Sequence, residues 1–150
     1  MSDQEPADAR EPMDEPAVRS ALGEALTLQT RSLLEMTLLA GALTGQAGVA
    51  VKHQLREFVQ RELEDTYLLA EKLTALGGTV KVAVDSLEPA RDAPDTLARL
   101  VEHEHEVVAA LHAVISHSGQ EPRSEALEHL LEHVIMRKQQ QADYLSLALA

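Results

Sequence analysis

A chain of 150 residues has room for one sizeable core and too little for two. One Phe, two Tyr and no Trp leave a sheet short of aromatic material, and the absence of cysteine excludes disulfides and thiolate metal sites. Twenty-five acidic residues against 13 basic ones, a formal charge of -12, argue against a nucleic-acid partner and in favour of cations.

Residues 1 to 16 hold six acidic side chains and three prolines with almost nothing large and apolar. They are expected to form a disordered acidic tail whose removal leaves the melting temperature nearly unchanged, with a bundle over 17 to 150. The tail also lacks the basic-then-apolar pattern of a targeting peptide, so a cytoplasmic location is expected. Four helical segments follow at about 17 to 44, 49 to 76, 93 to 118 and 122 to 149. Gly45 to Gly48, Gly77-Gly78 and Ser118-Gly119 separate them, and Pro122 suits the first turn of the last. The apolar run Leu33 to Leu43 is interrupted by Glu35 and Thr37 and is too short to span a membrane. The first and third connections are short, which forces antiparallel neighbours, whereas residues 77 to 92 make a long crossover. Within it Val80, Val82 and Val84 alternate, which reads as an extended strap across the bundle. The fold class is therefore all-α, an antiparallel four-helix bundle.

At about 100 degrees per residue, each helix carries a polar residue in the middle of its apolar stripe. Gln29 falls among Val18, Leu22, Ala25, Leu26, Leu33, Met36 and Leu43; Glu62 among Leu55, Phe58, Val59, Leu69 and Leu73; Glu104 among Leu97, Leu100, Val107 and Leu111. Lys138 and Gln141 share the stripe of Leu127, Leu131, Val134 and Leu145, while Asp65 and Thr66 flank that of Glu62. Core charges are costly unless paired or metal-bound, so these residues are expected to meet in one layer. The His129/His133 and Glu102/His105 pairs have ligand spacing but lie on outward faces, and are expected to be solvated. A second apolar surface on the first helix, Leu28, Leu34, Leu38 and Leu39, marks an interface.

The stretch Glu62 to Thr79, ELEDTYLLAEKLTALGGT, resembles the second helix of the ferritin-like superfamily, bacterioferritin most closely, from its Glu-x-x-His position to its Leu-Gly-Gly ending. The resemblance extends over residues 18 to 149 and implies a di-iron site with one Glu from each of the first and third helices and Glu-x-x-His from each of the second and fourth. Glu62 and Glu104 match carboxylate positions. Asp65 stands where His is implied, Gln29 near the first-helix Glu, and Lys138 and Gln141 where the fourth helix would supply Glu and His. Leu63 replaces the methionine that would hold haem, so haem is not implied by that route. The family also implies an antiparallel homodimer through the first two helices.

The sequence thus points to a ferritin-like oligomeric bundle with a degenerate di-iron site, structural or weakly metal-binding. Iron and no metal at all both remain open, with Glu62, Asp65, Glu104, Gln29 and Gln141 as candidate metal-facing residues and Lys138 as candidate metal substitute. The alternative is a ferroxidase or iron store of the bacterioferritin type that recruits Asp65, Gln29 or Glu24 as irregular ligands.

Overall fold

Helix starts follow the capping chemistry written into the chain. The structure, a computed structural model, describes residues 11–150. Asp14 accepts a hydrogen bond from the Ala17 N–H at 3.2 Å and starts α1 (Glu15–Gly41), with Pro16 in its first turn. Asp92 does the same for Asp95 at 2.9 Å and starts α3 (Ala93–Ile115). Pro122 opens α4 (Pro122–Leu149). α2 (Gly45–Ala75) ends in a Schellman turn: the Gly78 N–H donates to the Leu73 carbonyl at 2.9 Å and that of Gly77 to Thr74 at 3.0 Å, with Gly77 at φ +83°.

Arg19, near the start of α1, reaches the Leu76 carbonyl at the end of α2, and Arg31 pairs with Glu106 while Glu35 faces His103, so α1 runs antiparallel to both α2 and α3; α4 packs back along α3. Residues 76–92 carry the chain the length of the bundle, extended, with Val82 packed on the core and Val80 exposed. Among the described residues no strand forms, and the fold is the expected all-α four-helix bundle with a long crossover. No helix there is long and apolar enough to cross a membrane.

The structure corrects two boundaries. Gly45 and Gly48 do not end α1 but lie inside α2, whose preceding connection is residues 42–44. Gly48 is buried where α1 turns into α2, and a Cβ on it would stand 3.0 Å from that of Leu43, so its role is close packing. The expected tail also extends too far. Its residues 1 to 10 lie outside the described residues, but 11 to 16 are ordered. The Asp14 N–H donates to His117 at 3.1 Å and Gln120 to Glu11 at 2.7 Å, while Met13 is 6 % exposed inside the core. Gly119 permits this docking, because at φ +72° it has no Cβ to meet the Pro12 carbonyl oxygen, which would lie 2.5 Å away. One buried methionine and one capping aspartate here outweigh an otherwise polar segment. Met13→Ala is therefore expected to cost about 2 kcal/mol in urea unfolding, in contrast to a neutral tail.

The core is divided. One apolar cluster holds Val18, Leu22, Leu26, Leu69, Leu73, Val107, Leu111 and Leu131. The other holds Met36, Leu43, Leu55, Phe58, Leu97, Leu100 and Leu145. Between them along every helix lie buried polar side chains.

Candidate functional site

Those side chains arrive from all four helices by helical phase alone. Gln29 and Ser32 come from α1, Glu62 from α2, Glu104 from α3, and Lys138 and Gln141, three residues apart, from α4; all are essentially inaccessible to solvent. The Lys138 Nζ stands 2.6 Å from Glu62 Oε1, 2.7 Å from Glu104 Oε1 and 2.8 Å from Ser32 Oγ, so its three N–H donors are all used. Gln141 Nε2 donates to Glu62 Oε1 at 2.7 Å and to Glu104 Oε2 at 3.0 Å. Gln29 Nε2 donates to Glu62 Oε2 at 2.5 Å, and the Ser32 hydroxyl to Glu104 Oε1 at 2.6 Å. Every oxygen of the two carboxylates therefore accepts at least one hydrogen bond from within the protein.

Two carboxylates share one ammonium, and the electrostatics follow from that ratio. Burial favours a neutral lysine, but Glu62 and Glu104 together outweigh it and hold the Lys138 ammonium above the usual lysine range. Burial also pushes the Glu62 carboxyl up to about 7, against the pull of Lys138 and with the help of Glu104. The lysine is held in its charged form, and the surplus negative charge raises the affinity of Glu62 for a proton.

Asp65 does not enter this hydrogen-bonded set. It is buried one turn beyond Glu62 and takes a two-pronged ion pair from Arg137, 3.0 Å from Nε to Oδ2 on one side. Thr66 bonds the Glu62 carbonyl at 2.6 Å and receives Gln29 at 3.3 Å. A second polar group lies toward the strap, where the buried Glu35 carboxylate faces His103 Nδ1 at 2.7 and 2.8 Å and Arg31 Nε at 3.3 Å. Ser32, Arg137, Glu35 and His103 are the polar residues that pattern reasoning missed. Three of them had a signal: Ser32 three residues from Gln29, Arg137 beside Lys138, and Glu35 breaking the apolar run that starts at Leu33. His129, His133, Glu102 and His105 are exposed, and so is Leu63 at 61 %.

A profile of the ferritin-like domain matches residues 19–150. The chain belongs to the ferritin-like domain family. Solved structures of the same fold agree. A ferritin-like diiron-carboxylate protein of Bacillus anthracis superposes with a TM-score of 0.83 at 20 % identity, covering 91 % of this chain and 98 % of that one. The dodecameric thioferritin of Bacteroides fragilis, a bacterioferritin-related protein, gives 0.78 at 15 % identity with 91 % and 86 % covered. A mycobacterial bacterioferritin gives 0.76 at 19 % identity with 87 % and 81 % covered. No curated protein matches the chain in sequence.

Within this ferritin-like domain the residues present do not fit a di-metal centre. The oxygens of Glu62 and Glu104 are already occupied by donors, one of them a cation, and the layer contains no imidazole. Gln29 Oε1, buried without a donor, is a single neutral oxygen. Among the described residues no three His, Asp or Glu side chains converge so as to hold a metal ion.

Proposed function

We propose that this ferritin-like chain is a subunit of a homo-oligomer whose central polar layer is structural, and that it neither oxidises nor stores iron by that layer. The observation that carries the reading is the saturation of both family-position carboxylates by Lys138, Gln141, Gln29 and Ser32. A ferroxidase must open oxygens to incoming Fe2+; here that would strand a buried ammonium. Mixing the unmodified protein with Fe2+ in air is expected to give the rate of the protein-free control. Oxidation faster than the control and saturating in protein-bound iron would establish the irregular-ligand alternative.

The oligomer is proposed to form by self-association of the α1–α2 hairpin. Half of the apolar surplus on α1 is absorbed within the chain, since Leu39 is buried and Leu28 packs on the core. What remains on the outer side is Leu38, Leu63 and Tyr67, 56, 61 and 62 % exposed, with Leu34 half-buried. A groove of about 470 Å3 lined by Met36, Ala40, Leu55 and Val59 opens between the two helices and can receive a partner's side chain. The Bacteroides fragilis protein of the same fold is dodecameric, which supports self-association. Leu38→Glu is expected to shift the sedimentation profile toward monomer while leaving the circular dichroism of the helices unchanged. A monomeric unmodified chain at micromolar concentration would contradict the interface.

A further inference from the structure

We propose that the Lys138 ammonium takes the place of metal in this layer, so that a centre built in the family around bound cations has become one that carries its own. The inference deepens the structural reading above and rests on it.

Charge and geometry both support the substitution. The ligand set that the resemblance implies brings four carboxylates together, which two divalent cations can neutralise. Here the acidic position on α1 is the neutral Gln29 and that on α4 is Lys138, so two negative charges are gone and one positive charge has been gained. The pair that remains, Glu62 and Glu104, is bridged by Lys138 Nζ at 2.6 and 2.7 Å, as a cation between two carboxylates must be. The third carboxylate, Asp65 at the implied imidazole position, is matched separately by Arg137, the residue before Lys138. Two adjacent basic residues of α4 thus serve all three acidic side chains of the layer and its margin. The neutral donors complete the set: Gln141 spends both amide hydrogens on Glu62 and Glu104, and Ser32 lies between Lys138 and Glu104.

The layer also fixes how the helices are set against one another. It separates two apolar clusters, so sliding α4 by one turn would carry Lys138 into aliphatic surroundings and leave Glu62 and Glu104 facing each other unscreened. Nothing has to be bound for this layer to do so, because its cation belongs to the chain.

The test is to remove the ammonium and ask whether metal enters. Three full-length chains are dialysed against Co2+ alone: the unmodified protein, Q141H, and K138E/Q141H, with bound Co2+ counted above the unmodified chain, whose exposed histidines set the baseline. Q141H gains a ligand but keeps the ammonium, and is expected to take up no additional Co2+. K138E/Q141H is expected to take up one additional Co2+ per chain and to melt roughly 10 °C higher at about 100 times the dissociation constant. Should its three carboxylates leave it unfolded alone, recovery of helicity on adding Co2+ reports the same site. Binding by Q141H as tight as by the double variant overturns the proposal, as does a double variant that takes up no Co2+, folded or not. Iron oxidation by the unmodified chain is the separate result that would end the structural reading.

Discussion

Lys138→Met is expected to lower the unfolding free energy by about 3 to 5 kcal/mol at neutral pH, the usual cost of removing one partner from a buried ion pair. The loss comes from what is left behind. Glu62 and Glu104, both inaccessible to solvent, would keep their desolvation cost without the cation that offsets it, and the Ser32 hydroxyl would lose a donor. Methionine fills nearly the same volume, so little of the effect is packing. The triple variant Lys138→Met, Glu62→Leu, Glu104→Leu is expected to recover much of the loss, because an apolar replacement of a whole buried ion cluster is often neutral or stabilising. Recovery stops short of complete, since Gln29, Ser32 and Gln141 then lack partners. Urea unfolding of the three proteins distinguishes the cases. A single variant as stable as the parent, or a triple variant no better than the single, would show that charge compensation is not what Lys138 does.

Stability is expected to fall as pH rises from about 4.5 to beyond 7, with Glu62 alone contributing roughly 3 kcal/mol to the fall. The sign follows from proton linkage. In the folded chain the Glu62 carboxyl titrates at about 7 rather than 4.5, so between those values the native state holds a proton that the unfolded state has released. The stabilisation is complete below the unfolded value and is lost as pH climbs through the folded one. The charged groups facing Glu62 are Lys138 on α4 and Glu104 on α3, while α1 presents the neutral Gln29. With the Glu62 carboxyl protonated, one negative charge fewer shares the Lys138 ammonium in a dry interior; as that proton leaves, the charge returns. Burial raises the Asp65 carboxyl as well, against the hydrogen bonds from Arg137, so the whole-protein profile mixes two groups of the same sign. Comparison with Glu62→Gln, which mimics the protonated acid, isolates one of them. Unfolding between pH 5 and 8.5 is expected to show the parent losing more stability than the variant, and parallel curves would contradict the assignment. The Lys138→Met penalty is expected to shrink at pH 5 for the same reason.

What the sequence could and could not convey has a physical pattern. Helical period placed Gln29, Glu62, Glu104, Lys138 and Gln141 within apolar stripes, and in a bundle of parallel or antiparallel helices that phase is nearly sufficient to bring them together. Connection lengths gave the hairpins and the crossover, because short loops leave little choice of neighbour. Partner choice was less legible. Asp65 flanks the stripe of Glu62 and could have joined the layer; that it turns to Arg137 depends on the lateral reach of a long side chain across α2 and α4, which periodicity does not encode. His103 was lost in the same way, unremarkable alone and meaningful only once α1 and α3 are in register and bring it to Glu35. The docking of Met13 depended on a glycine more than 100 residues away, and the split of the second apolar face on α1 depended on which of its residues the rest of the chain buries, Leu28 and Leu39 but not Leu38.

Cations built into α4 stand where the family would hold metal, and that replacement can be measured. Its most direct measurement is the metal content of the unmodified protein, purified without chelators from iron-rich culture, exchanged into clean buffer and analysed by element. Far less than one iron or manganese per chain is expected, together with a full thermal transition. Two tightly held irons per chain, retained through buffer exchange and required for that transition, would contradict it.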